Sequence, residues 1–296
     1  MKRVYNIFFD RFWPQFMENE QNNISFYKEI FNTDTTELSI KDNSEEADII
    51  ISAASKPLDK INKINIHYLG EPHNTYDLSG VDIIFGGIPE FKDKRAVFIP
   101  TFLSYLICNS FYTKVIEKPL RTTIPPYFCC MLIGNVNVPE RVGLFNTIQK
   151  YKPVVSAGIG LNNTGWIMTI PYGRPGYFDF ISQFKFVIVT ENTKIDAFIT
   201  EKLFHGYLSG TVPIYWGSDY VPEIFNTDSI VLLKEYNEYN LEKLIQEVIY
   251  LDNNDDAWLK KVNQKVFRGE DLPEYFKIDS VRKRLLNKID ETIKYQ

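Results

Sequence analysis

The sequence predicts an α/β protein of two domains, each a parallel sheet flanked by helices, and three observations predict it. Short apolar runs of strand length alternate with stretches of helical period. The chain has 296 residues, about two typical domains of roughly 150 residues. A polar stretch over 114–126, with Pro119, Pro125 and Pro126, separates two such series and has the composition of an interdomain connection.

In the first series, strands are predicted at 4–9, 48–52, 64–69, 81–85 and 96–99, each an apolar run bounded by polar or turn residues, with a helix over 24–31. The longest uncharged stretch, 96–113, is interrupted by Pro100 and diluted by Ser104, Asn109 and Ser110, so it does not predict a membrane-spanning helix. The second series opens with a strand at 127–133, a helix at 139–150 led by Pro139, and a strand at 153–156. A buried strand at 184–189 follows, then a helix over 199–209 closed by Gly210, and a strand at 212–216. A short strand at 229–232 and helices at 241–251 and 256–266 complete it. In the last segment, 279–295, Val281, Leu285, Ile289 and Ile293 recur every fourth residue, which gives an amphipathic helix whose basic residues form its solvated face. The expected division is 1–120, 121–275 and a terminal helix, 276–296, that packs back on the first domain. Open sheets of this kind bind ligands at the carboxyl ends of their strands, so a cleft between the two halves is the expected site.

Composition narrows the function. Lys+Arg number 33 against 38 Asp+Glu, a net charge of −5, with no basic stripe, which argues against a nucleic-acid partner. Aromatics reach 15%, with 22 Phe and 18 Tyr, and most are expected in the cores. Three cysteines (Cys108, Cys129, Cys130) and three scattered histidines offer neither a disulfide framework nor a zinc site, which fits a reducing, cytoplasmic compartment. The opening MKRVYNIFFDRFWP has too short an apolar run for a signal-peptide core and reads as a first strand. Without a secretory signal, the acceptor patterns at Asn23 and Asn162 are read as chance. No transmembrane anchor is expected, with peripheral membrane contact left open for the basic terminal helix. Gly158-Ile159-Gly160-Leu161-Asn162-Asn163 has Asn163 where a dinucleotide fingerprint needs its third Gly, so it reads as a turn.

The densest chemistry lies in 186–218, FVIVTENTKIDAFITEKLFHGYLSGTVPIYWGS. The strand delivers Thr190, Glu191, Asn192 and Thr193 to its carboxyl end. A helix starting at Thr200, a good N-cap residue, would place Glu201 and Lys202 in its first turn. Helix N-termini favour anions, and Lys202 adds a full charge. The strand ending Tyr215-Trp216-Gly217-Ser218 returns to the same edge. On these grounds alone the segment equally fits a solvated helix start.

The run ENT, TEKL and VPIYWGS at these spacings resembles the donor-binding signature of the α-1,3/4-fucosyltransferases, glycosyltransferase family 10, over about 184–225. IHYLGEPHN within 65–100 and Arg141 on the helix after the 127–133 strand resemble the family more weakly. The resemblance implies a GT-B fold, two Rossmann-type domains facing across a cleft, with 1–120 the acceptor side and 121–275 the GDP-sugar side. It implies transfer of L-fucose from GDP-β-L-fucose, with inversion, to O3 or O4 of an N-acetylglucosamine or glucose unit in an oligosaccharide or glycoconjugate, and no required cofactor. Carried over by residue, it gives donor-binding roles to Asn192, Glu201 and Lys202, with Lys202 facing the pyrophosphate, and makes Arg141 the cation that neutralises departing GDP. Phe198 stands where the family often has Tyr, and Glu71 matches the general base, although Gly70-Glu71-Pro72-His73-Asn74 departs from the commoner Gly-Glu-Asn start. Glu191, Tyr215 and Trp216 are further pocket candidates. No D-x-D occurs, so Arg141, Lys202 and a helix start are expected to replace a metal. Eukaryotic members carry an N-terminal anchor and some bacterial ones heptad repeats. Neither pattern is present here, so surface-polysaccharide or glycan assembly in a microbial or viral setting is the expectation. A sister enzyme using another GDP-sugar and an inactive glycan-binding relative are the alternatives.

Overall fold

The computed structural model describes residues 1–13, 16, 24–53, 62–72, 76–195 and 197–295. It divides into two compact units, one of Met1–Phe111, Asp196–Phe198 and Pro273–Gln296, the other of Tyr112–Ile195 and Ile199–Leu272.

The first unit contains β1 (Arg3–Asp10), α1 (Ser25–Phe31), β2 (Thr36–Ile40), β3 (Ile49–Ser52), β4 (Ile64–Leu69), β5 (Ile83–Gly86), β6 (Ala96–Phe98) and α2 (Phe102–Cys108). All six strands run parallel in the order β2-β1-β3-β4-β5-β6. From β3 to β6 every strand residue is buried, the signature of a parallel sheet covered on both faces. Gly86 sits opposite Leu69, where a Cβ would come within 2.4 Å of the leucine Cβ, so this central pair requires glycine. The uncharged stretch 96–113 is divided between β6 and α2, with Pro100 between them.

The second unit contains α3 (Tyr112–Ile116), β7 (Tyr127–Met131), α4 (Pro139–Tyr151), β8 (Val154–Ser156), α5 (Pro175–Ile181), β9 (Phe184–Thr190), α6 (Lys202–Leu208), β10 (Val212–Trp216), α7 (Val221–Ile224), β11 (Val231–Leu233), α8 (Glu238–Asp252) and α9 (Asp255–Val262). The stretch expected to be a plain connection therefore starts inside α3. The sheet is parallel, in the order β11-β10-β9-β7-β8. Its core holds Cys129, Met131, Phe186 and Trp258, whose indole Nε1 donates to the Lys185 carbonyl at 3.0 Å. Cys108, Cys129 and Cys130 are all buried and none is in a disulfide among the described residues.

The last helix, α10 (Ile278–Tyr295), groups with the first unit, burying Val281, Leu285 and Ile289 completely. Arg284 ties it to β6 through the Phe98 carbonyl, 2.9 Å away, and to Glu90 at 2.8 Å. No helix among the described residues is long and apolar enough to cross a membrane.

The second sheet positions a site by topology. The chain adds β8 on one side of β7, then crosses to place β9 on the other. The crossover loops leave the sheet in opposite directions at β7 and β9, which opens a crevice beyond their carboxyl ends.

A basic cavity at the carboxyl edge of the second sheet

A cavity of ≈ 160 Å³ occupies that crevice, walled by Ile133 and Gly134 after β7, by Thr190 and Asn192 at the end of β9, and by Arg141, Lys202, His205, Tyr172 and Tyr177. Arg141 comes from the first turn of α4, where Pro139 fixes the helix start. Arg141 is 1% exposed, and its guanidinium makes four hydrogen bonds. Nε donates to Thr190 Oγ1 at 2.8 Å, one terminal nitrogen to the Asn135 carbonyl at 2.8 Å, and the other to the Thr190 carbonyl at 2.8 Å and Asn192 Oδ1 at 2.9 Å. It therefore binds the β7 exit loop to the end of β9. Burial lowers its pKa, yet a guanidinium remains charged across the physiological range.

Lys202 opens α6. Thr200 was expected to cap this helix, but the helix begins two residues later, with Glu201 in helical geometry at the cap position and no side-chain cap. Glu191, fully buried, takes both Thr200 donors, the backbone N–H at 2.8 Å on one oxygen and the hydroxyl at 2.8 Å on the other, while Thr200 Oγ1 still accepts from the Lys202 N–H at 3.4 Å and from Lys202 Nζ at 3.0 Å. Tyr215 hydroxyl donates to the same carboxylate at 3.3 Å, and Lys202 Nζ lies 3.7 Å away. Burial disfavours the Lys202 ammonium, but Glu191 and Glu201 outweigh it and hold the pKa above the ordinary lysine value. Burial also raises Glu191, against the pull of Lys202 and the Thr200 donors. Glu201 is lowered because Lys202 and His205 overcome its desolvation.

Arg141, Asn192 and Lys202 thus gather around one cavity, while the other candidates take different places. Glu191 and Tyr215 are fully enclosed behind it, and Trp216 belongs to the hydrophobic core. These three were expected near the pocket, but none lines it: Glu191 and Tyr215 are hydrogen-bonded to each other, and Trp216 is packed in the core. Phe198 is buried and groups with the first unit. Glu71 lies in an exposed bend just past β4, also in the first unit, where its charge adds to burial in raising the Tyr76 hydroxyl pKa.

Tyr172, Tyr177 and His205 were not found by sequence reasoning. His205 carried one signal, lying three residues after Lys202 and so on the same helix face. Its ring is 2% exposed, and burial pulls its pKa down to about 4. The Gly158–Asn163 loop does form a tight turn. Gly160 N donates to the Ile133 carbonyl at 2.8 Å, and Asn163 bridges the Ser156 N–H at 2.9 Å and the Val154 carbonyl at 2.8 Å.

The family model described as glycosyltransferase family 10 (fucosyltransferase) C-term matches residues 127–266. An alpha-(1,3)-fucosyltransferase FucT of Helicobacter pylori is 30% identical over 149 residues, 50% of this chain and 30% of that protein. A 4-galactosyl-N-acetylglucosaminide 3-alpha-L-fucosyltransferase 9 of Homo sapiens is 25% identical over 215 residues, 70% of this chain and 54% of that protein. The chain thus matches about half or less of the length of these curated relatives. A crystal structure of alpha1,3-fucosyltransferase with GDP-fucose superposes with a TM-score of 0.76 at 20% identity, covering 98% of this chain and 90% of that one. Anabaena Alr3699/HepE in complex with UDP-glucose gives a TM-score of 0.53 at 7% identity, covering 97% and 100%. The fold is GT-B-like, two parallel-sheet α/β domains.

Proposed function

We propose, since this chain belongs through residues 127–266 to glycosyltransferase family 10, that it transfers L-fucose from GDP-β-L-fucose to a hydroxyl of a glycan acceptor, with inversion. The observation that carries this reading is the enclosure of Arg141 and Lys202 around one cavity at the switch point of the second sheet. Departure of a nucleoside diphosphate builds negative charge on the diphosphate and positive charge on the sugar, in an oxocarbenium-like transition state. Two fixed cations in a partly buried setting stabilise that diphosphate charge without reorganising. Of the five guanidinium donors, Arg141 uses four on the protein and keeps one for an oxygen of the ligand. Lys202 supplies the second charge, and Asn192 and Glu201 supply polar groups for the ribose or sugar.

In this reading Glu71 is the base that takes the proton from the acceptor hydroxyl on the face opposite the leaving group. Turnover needs no metal, because Arg141 and Lys202 carry the charge a metal would otherwise supply. The acceptor is a GlcNAc- or glucose-containing oligosaccharide or glycoconjugate, with O3 or O4 the attacking position.

The test is a donor panel of GDP-fucose, GDP-mannose and UDP-sugars against GlcNAc- and glucose-containing acceptors, run with EDTA and with Mn²⁺. Transfer from GDP-fucose alone, unchanged by EDTA, is expected. Preference for another GDP-sugar overturns the choice of sugar, and loss of activity in EDTA restored by Mn²⁺ overturns metal independence.

A further inference from the structure

Beside the basic cavity lies a second one, of ≈ 220 Å³, with a different character. Its lining includes Ile133, Ile159, Ile167, Ile170, Tyr172 and Tyr177, and it carries no charged side chain. The two cavities share Ile133, Gly134, Tyr172 and Tyr177. Several of these apolar residues face solvent: Ile159 is 75% exposed, Ile167 50% and Tyr172 57%. Scattered single exposed apolar side chains are ordinary, but a contiguous group marks a binding surface.

Tyr172 is unusual within this group because it is exposed yet held. One side of its ring lies parallel to the His205 imidazole, with centroids 5.5 Å apart and planes at 7°. Tyr177 packs edge-on against both, 5.1 Å from Tyr172 and 5.0 Å from His205, and its hydroxyl lies 3.4 Å from His205 Nδ1. Tyr172 lines both cavities, which puts this ring at the border of the basic one. An aromatic platform, backed by a buried ring and open on its other side, next to a dication pocket, matches a nucleotide in one orientation. The diphosphate takes the charged half, and the flat base takes the apolar half.

We propose that Tyr172 is the stacking platform for the purine base of the donor nucleotide, and that His205 is the positioning residue that fixes the angle of that platform. The inference rests on the reading of a nucleoside-diphosphate donor and adds the residue that discriminates its base. His205 acts as a neutral, flat wedge. Its ring is buried against Tyr172, so its shape matters more than its nitrogens.

The experiment measures binding of GDP and of inorganic pyrophosphate to the full chain by isothermal titration calorimetry. Pyrophosphate reports the charged half alone. Tyr172→Ala is expected to weaken GDP by roughly tenfold or more, the usual cost of losing one base–aromatic stack, and to weaken pyrophosphate much less. Tyr172→Phe keeps the ring and should bind GDP as the wild type does. His205→Ala should weaken GDP severalfold and pyrophosphate much less, and His205→Phe should restore GDP binding, an outcome that simple loss of folding does not produce. Equal GDP binding by Tyr172→Ala, or parallel loss of GDP and pyrophosphate, overturns the platform. Failure of His205→Phe to recover overturns the positioning role. If the wild type binds pyrophosphate no more weakly than GDP, the base has no site and the inference falls while the diphosphate reading stands. Binding of neither ligand removes the donor reading itself.

Discussion

Replacing Glu191 by alanine should cost stability rather than only donor binding. The carboxylate receives the Thr200 N–H and hydroxyl, both at 2.8 Å, and the Tyr215 hydroxyl at 3.3 Å, and it lies 3.7 Å from the Lys202 ammonium. Hydrogen bonds to a charged group contribute about 1.5–3 kcal/mol each. The two short bonds therefore set a scale of about 3–6 kcal/mol, from which the burial cost of the carboxylate is subtracted. Breaking a buried ion pair from one side costs about 3–5 kcal/mol, and we expect Glu191→Ala to fall in that range. Glutamine keeps the shape: its carbonyl accepts from the Thr200 N–H, and its amide donates to the Thr200 hydroxyl oxygen. Glu191→Gln should lose only about 1–2 kcal/mol on the neutral-bond scale. Urea unfolding followed by tryptophan fluorescence measures this directly, since Trp166, Trp216 and Trp258 all lie in the second unit. An alanine variant within about 1 kcal/mol of wild type, or a glutamine variant as unstable as alanine, would refute the hydrogen-bond account.

Gly158→Ala should destabilise by about 1–3 kcal/mol, because its Cβ would sit 2.2 Å from the Ile133 carbonyl oxygen and 2.5 Å from the Ile133 nitrogen. Gly134→Ala, with nothing within 4 Å of the new Cβ, is the matched control, and thermal melts should separate the two. His67 and His205 are both held at about 4 by burial, below the ordinary value of 6.5. The unfolded chain therefore binds more protons between those values, and the stability each contributes is complete above 6.5 and lost as pH falls through about 4. That loss is on the order of 3 kcal/mol for each histidine, and His67→Leu should flatten the melting-temperature profile between pH 7 and 4. Glu71→Gln should reduce transfer about 100-fold or more, on the scale of general base catalysis, with GDP binding unchanged in a titration. Near-normal turnover removes Glu71 from the role of base.

The parallel strands were legible because burial on both faces writes a continuous apolar run, as in Ile49–Ile51 and Phe186–Val189. The edge strand Thr36–Ile40 was missed because only Thr36 in it is buried, and its sequence TELSI resembles a loop. The helix Pro175–Ile181 was missed because Gly176 and three aromatics in seven residues lower its helical signal. The start of α6 was misread for an instructive reason. Thr200 does accept from the Lys202 N–H, at 3.4 Å, but its own N–H and hydroxyl are held by the buried Glu191, and no local pattern reveals a partner nine residues earlier. Within the site, Arg141, Asn192 and Lys202 were found through motif resemblance. Tyr172 was not, because its place depends on how the loop after β8 folds back, and that is decided by Asn163 and the Ile133 backbone.

The loop between β8 and α5 also separates what an engineer can change from what must stay. Asn163 closes its base onto β8, and Asn162 clamps the next turn through the carbonyls of Gly158 at 2.9 Å and Trp166 at 2.7 Å. Beyond that clamp, residues 166–172, Met168 apart, are exposed on a backbone anchored at Met168 N to the Ala157 carbonyl, 2.8 Å. Arg141, by contrast, is woven into two elements and admits little variation. New ligand preferences should therefore accumulate in library selections at Ile167, Ile170 and Tyr172, with the anchoring asparagines and the guanidinium recovered unchanged.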